Sequence, residues 1–229
     1  MITDVVVVPG APLLLPEYQG REPAAPGLLD ACVTAVRDAV ATAAHVVVVH
    51  ATDREPRSTR PALGLRVADH LLASTHLGFE VEHVAVPWNA ATQECVALGR
   101  EVADASRTTP PTTVLVVADG SARRTEKAPG HLDPRSHEVD DVIVAALRGA
   151  ADGGLDGLLD LDADLCADLL VAGRAPLQVL AAATHAPASA DMVAPATTSA
   201  DAARLEVVSC EVSDPFGVLY VVAHLARTR

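Results

Sequence analysis

Apolar residues follow two rhythms along this chain. Val5 to Val8 and His45 to Ala51 are nearly unbroken β-branched runs. Such runs suit strands covered on both faces, as in a parallel sheet. Thr112 to Ala118 is a third, and Phe79 to Val86 alternates more moderately. Between these runs the spacing turns helical. Leu28 to Ala44 places Leu29, Val33, Val36 and Val40 on one face. Leu63 to Leu77 reads as a second helix stopped by Gly78, followed by Ala91 to Ala105 and Ser136 to Ala150. The last of these opens on Ser-x-x-Val and so lacks a full capping box. Alternation of strand and helix through residue 150 predicts parallel pairing with right-handed crossovers.

Beyond residue 150 the rhythm changes. Leu155 to Leu159, Ala163 to Ala172 and Pro176 to Thr184 read as short helices. His185 to Ala203 is rich in Ala, Pro, Thr and Ser and reads as a loop or frayed helix. Leu205 to Val212 and Val218 to Ala226 are strands, and the five residues between them predict an antiparallel hairpin. Ala11 to Gly27, dense in proline, reads as a long loop. No internal repeat or composition break divides the chain. The expectation is one α/β domain over residues 1–229: a mostly parallel central sheet flanked by helices, with a C-terminal antiparallel hairpin.

Composition narrows the function classes. Aromatic residues are only 2% of the chain, so the core must be built from Val, Leu and Ala. The formal net charge of -13 argues against non-specific nucleic-acid binding, which needs cations to neutralise phosphates. It argues equally against docking on anionic membranes. None of Cys32, Cys95, Cys166 and Cys210 forms a C-x-x-C pair, so they read as reduced thiols rather than zinc ligands. The N-terminus has no basic segment of the signal-peptide kind, and no apolar run reaches the roughly 18 residues of a membrane span. A cytoplasmic protein with a small-molecule partner is expected. A homodimer is compatible with the sequence.

In an open α/β sheet, ligands bind outside the carboxyl ends of the strands. The first strand delivers Pro9 and Gly10 there, the second His50 with Asp53 behind it, and the fourth Asp119, Gly120 and Ser121. A histidine leaving a Val run can be a metal ligand or a general base, or it can simply donate to a backbone carbonyl. The loop from Asp119 to Arg135 offers Gly120 and Ser121 N–H groups to an anion, with Arg123, Arg124 and Lys127 as cations. The alternative is a loop pinned by ion pairs to Glu126, Asp133, Glu138 and Asp140. Neither a phosphate-binding G-x-x-x-x-G-K-[ST] loop nor a G-x-S-x-G elbow is present, although Ser121, His50 and Asp53 could form a triad in space. The catalytic candidates are His50, Ser121 and Asp119. The ligand-binding candidates are Gly120, Arg123, Arg124, Lys127 and His131, and His50 is the metal candidate.

Five blocks occur in a suggestive order: PGAPLLLPE from Pro9 to Glu17, the strand end Val49-His50, DGSARRTEKAPG from Asp119 to Gly130 with LDPR behind it, AGRAPLQVL from Ala172 to Leu180, and PFGVLY from Pro215 to Tyr220. Over nearly its whole length the chain resembles an actinobacterial branch of the class III extradiol ring-cleavage dioxygenase superfamily, whose fold the Memo-like proteins share. The resemblance implies an Fe(II) held by two His and one Glu, with positions open for a catechol and O₂, and a further His as acid/base. On that pattern His50 matches the second ligand and Glu211 is the nearest candidate for the carboxylate. Gly10 stands where the first ligand is expected, and Ser121-Ala122 where a Ser-His pair is expected. The implied protein is extradiol-dioxygenase-like, with a degenerate metal site and a cleft for a small ligand, anions among the candidates. No cofactor is then needed, and Fe(II) or another divalent metal belongs only to an intact site. Two alternatives stand beside it: a metal-dependent oxidoreductase using His50 with other ligands, with Trp88 near a catechol ring, and a non-catalytic subunit or scaffold.

Overall fold

A computed structural model describes residues 1–21, 24–55, 59–185 and 204–227. Its strands are β1 (Ile2–Val8), β2 (His45–Thr52), β3 (Glu80–Pro87), β4 (Thr112–Val117), β5 (Leu205–Ser213) and β6 (Tyr220–Arg227). Its α-helices are α1 (Pro26–Val40), α2 (Leu63–Thr75), α3 (Thr92–Thr108), α4 (Arg135–Arg148), α5 (Ala163–Asp168) and α6 (Arg174–Thr184). The six strands form one sheet in the order β3-β2-β4-β1-β6-β5. The first four are parallel; β6 runs antiparallel to both β1 and β5. The fold is thus α/β, a mixed and mostly parallel sheet flanked by helices.

The Val runs do what their composition requires. Val5, Val6, Val8, Val46, Val48 and Val49 are fully buried, because alternate residues meet helices on opposite faces. Val6, Val8, Val46, Val48 and Val117 share a core with α1 and α2. Val5, Val7, Val47, Val49 and Val116 share the other with α3, α4 and α6. A side chain at Gly99 of α3 would stand 2.5 Å from both the Ala182 Cβ and the Val179 carbonyl of α6. Small residues therefore set the approach of those two helices. Among the described residues no helix is long and apolar enough to cross a membrane.

Local departures from the sequence pattern have physical causes. The second helix is ended not by Gly78 but by His76, which takes the left-handed conformation at φ 54°. The helix expected over Ala163 to Ala172 stops at Asp168, since Leu170 at φ 57° cannot continue it. Inside the proline-rich stretch, Pro12–Leu14 and Pro16–Tyr18 form short 3₁₀ turns that bury Leu14 and Leu15 beneath α2. Most of the soft segment expected from His185 to Ala203 lies outside the described residues.

Register brings the strand ends level. Val117 of β4 pairs with Val8 of β1 on one side and with His50 of β2 on the other. The first residues past these positions therefore open on one edge of the sheet.

Candidate functional site

His50 and Asp119 both stand at that edge, on either side of Val117. His50 follows Val46 and Val48 by the two-residue alternation of a strand, so it faces α2. Asp119 stands two residues beyond Val117 on the same side. Two glycines make room around them. A Cβ on Gly64, in the first turn of α2, would lie 3.2 Å from His50 Cβ and 3.3 Å from Val117 Cγ1. A Cβ on Gly10 would lie 3.3 Å from both Asp119 Oδ2 and Val117 Cγ1. Val117 is thus the common neighbour, with His50 on one flank and Asp119 on the other.

The polar atoms of the pair are only half engaged. His50 is 3% exposed, and its Nδ1 stands 3.2 Å from its own neighbour's carbonyl, Ala51 O. With Nδ1–H donating there, Nε2 is left as an acceptor that no described residue uses. Burial holds the imidazole below its ordinary pKa, against the opposing pull of the Ala51 carbonyl, so it is neutral at pH 7. The Gly10 N–H donates to Asp119 Oδ1 at 3.0 Å, and Oδ2 has no partner among the described residues. Burial pushes the Asp119 carboxyl up to about 7, and the Gly10 bond offsets only part of that rise. Burial, helped by the charge of Asp119, raises the Tyr220 hydroxyl on β6 and the Cys32 thiol on α1, each to about 12. All four groups have neutral forms available at pH 7.

The cationic loop is built differently. Gly120 N–H donates to Leu219 O, Leu219 N–H to Ser121 O, and Arg124 N–H to Gly217 O, so the loop is laced to the segment entering β6. Ser121 is fully buried, and its hydroxyl donates to Leu169 O at 2.7 Å. Its N–H donates to Asp140 Oδ1 at 2.8 Å. Arg124 reaches Asp140 at 2.8 Å and Asp214 at 3.0 Å. Burial raises the Asp140 pKa, while the Ser121 N–H and Arg124 pull it back down. Gly120 has no room for a side chain, because a Cβ would meet Leu219 at 2.5 Å and Asp140 at 2.7 Å.

Of the sequence candidates, then, the structure places His50 and Asp119 on one face of the same sheet edge, on either side of Val117, and ties Ser121, Gly120 and Arg124 into the frame. Arg123 lends its carbonyl to Ser136 Oγ and Asp133 N–H, and its buried Nε has no partner among the described residues. Lys127 and His131 are exposed, and His131 Nδ1 stands 3.4 Å from Glu126 O. The arrangement of Ser121, His50 and Asp53 as a triad is not assembled, since the Ser121 hydroxyl is turned to Leu169 and Asp53 is exposed. Sequence reasoning did not single out Gly64 or Tyr220 for this edge. It named Asp140 and Asp133 as possible ion-pair partners of the loop, and the Arg124–Asp140 and Arg135–Asp133 pairs are formed.

The donor set does not fit the facial iron site that the family resemblance implies. Gly10 offers no side-chain donor. Glu211 stands on β5, four strand spacings from β2, or roughly 19 Å at about 4.8 Å each. Among the described residues no three His, Cys, Asp or Glu side chains converge as metal ligands. Two cavities lie away from this edge. One of about 610 Å³ opens at the opposite end of the sheet, beside Met1, Leu205 and Arg227. The other, about 350 Å³, runs between α1 and the β5–β6 hairpin. No protein-family model and no curated protein matches this chain.

Proposed function

We propose that this chain is an extradiol-dioxygenase-like protein that binds a small proton-exchanging molecule at the carboxyl edge of its sheet without a resident metal. His50 Nε2 is the acceptor and Asp119 the group that gives or takes the proton. The observation that carries this reading is Asp119: a carboxyl raised to about 7, with one free oxygen, on the face that also presents His50. A group poised near ambient pH is the one best suited to move a proton in either direction. The five sequence blocks support the scaffold assignment. The missing donor at Gly10 and the remote Glu211 support the metal-free form.

The same geometry refines the ligand class. An ionised Asp119 repels a permanent anion above pH 7, while Arg124 and Arg135 of the 119–135 loop are held in ion pairs and Lys127 is exposed. The preferred ligand is therefore a phenol, a catechol or a weak acid that shares its proton with Asp119. The test is an NMR titration of the Asp119 carboxyl and the His50 ring, alone and with catechol, phenol and benzoate, beside metal analysis of anaerobically purified protein and of His50→Ala. Titration of Asp119 near pH 7, with ligand-dependent shifts at both residues and no bound metal, is expected. Titration near 4 with no shift from any probe overturns the site. Stoichiometric metal that disappears in His50→Ala overturns the metal-free form.

A further inference from the structure

A second polar line crosses the same face of the sheet nearer its other end. Asp4 lies on β1, His224 on β6 and Ser209 on β5, three adjacent strands. His224 Nε2 stands 3.0 Å from Asp4 Oδ1. Ser209 is the direct cross-strand partner of His224. Directly opposed residues keep their Cβ atoms about 5 Å apart on one face. His224 is 6% exposed, yet it lines the 350 Å³ groove together with Ser209. Ser209 Oγ makes no hydrogen bond among the described residues. The register slips beside it, between Val207 and Ser209, which leaves Val208 unpaired and 60% exposed. Bulges of this kind re-aim neighbouring side chains and gather beside active sites.

From this geometry we infer a nucleophilic serine centre, separate from the carboxyl-edge pair, that cleaves small carboxylic esters bearing a positive charge. Asp4 is the positioning residue. By accepting from Nε2–H it fixes the ring and leaves Nδ1 free as the base. Ser209 Oγ attacks the ester carbonyl carbon, and its proton passes to His224 Nδ1. The acyl–oxygen bond breaks, and the departing alcohol takes that proton. Water then attacks the acyl-Ser209 ester, giving one proton to Nδ1, which returns it to Ser209. The balance is one ester and one water to one carboxylic acid and one alcohol, with no change of oxidation state. As the outermost strand, β5 also offers a row of backbone N–H groups not used by the sheet, the kind of donor that stabilises a developing oxyanion. Asp30, Asp38 and Glu211 line the groove, with no Lys or Arg among its described lining residues, so a cationic substrate is favoured and an anionic one repelled.

The test treats the full chain with a fluorophosphonate probe and maps the label by peptide mass spectrometry. Hydrolysis of acetylcholine and of p-nitrophenyl acetate is followed in parallel. Label on Ser209, lost in Ser209→Ala, and a fall of roughly 100-fold or more in labelling rate in His224→Gln are expected. Asp4→Asn lowers the rate, and Asp4→Glu restores part of it, which a merely structural role would not do. Glu211→Gln narrows the preference for the choline ester. Absence of label on Ser209 in the folded wild-type chain overturns the proposal, as does ester hydrolysis unchanged in Ser209→Ala. Should His224→Gln fail to fold, the wild type and the Ser209→Ala chain decide alone, since the Ser209 hydroxyl makes no hydrogen bond among the described residues and its backbone pairing survives in alanine.

Discussion

The 119–135 loop and the His50–Asp119 edge invite opposite readings in sequence and in space. The loop carries a dense run of charge, yet most of its polar groups are engaged: Arg124 with Asp140 and Asp214, Arg135 with Asp133, Ser121 with Leu169. The edge carries one histidine and one aspartate, each with a polar atom unused among the described residues. A high density of charge marks a place where the chain can neutralise itself. A site needs the reverse, polar atoms that folding gathers on one face and leaves uncommitted.

Breaking the committed region should give the largest effect. Asp140 is 1% exposed and accepts from both Ser121 N–H and Arg124. Asp140→Ala strands both donors, so a loss of about 3–5 kcal/mol is expected in urea denaturation. A loss under about 1 kcal/mol would dissolve the contrast between the two regions. Burial already raises the Asp140 pKa, so the intact pair is not a net electrostatic gain over a well-packed apolar substitute.

The uncommitted edge should answer to pH instead. Asp119 has a folded pKa of about 7 against an unfolded value of about 3.9. Between those values the folded state holds a proton that the unfolded chain has released. The stabilising contribution is therefore complete below about pH 4 and lost as pH rises through 7. Wild-type protein should lose up to about 4 kcal/mol from this group by pH 8, and Asp119→Asn should not. Denaturation midpoints for both chains from pH 4 to 8 measure the gap; a gap that stays flat with pH contradicts the raised carboxyl.

His50 provides the opposite slope at smaller size. Its folded pKa is depressed, so its neutral form is favoured by folding and stability falls as pH drops below its unfolded value of about 6.5. His50→Gln should flatten that acid limb while leaving the region above pH 7 unchanged, as thermal melts across pH 5 to 8 will show. The smallest effect is expected at Lys127, exposed on the loop: Lys127→Ala should change stability by no more than about 0.5 kcal/mol. A larger loss there would mean that the exposed cations also belong to the frame.

Much of the fold was legible in the sequence because it depends on local period. The Val runs, the helical spacings and the short hairpin connection each carry their structure within a dozen residues. Ends of elements were less legible, because His76 and Leu170 adopt left-handed backbone that nothing in their residue type announces. Of the site, His50 and Asp119 stood out as polar residues at strand ends. Their place on one edge depends on strand order, which puts β4 beside β2 and β1, and no local pattern encodes that order. The commitment of Ser121 to Leu169, 48 positions away, was equally invisible.

The position of β1 in the sheet bears on how the chain is made. β1 leaves the ribosome before the other five strands, yet it lies between β4 and β6, and Asp4 meets a histidine 220 positions later. Until residues 220–227 emerge, one side of this all-but-continuous valine strand has no partner and its backbone is open to any other extended chain. Closing contacts over such separations is slow, so the nascent protein spends its synthesis with its stickiest strand half-paired. Truncation within β6 should therefore appear first as aggregation during translation, before any loss of activity can be measured.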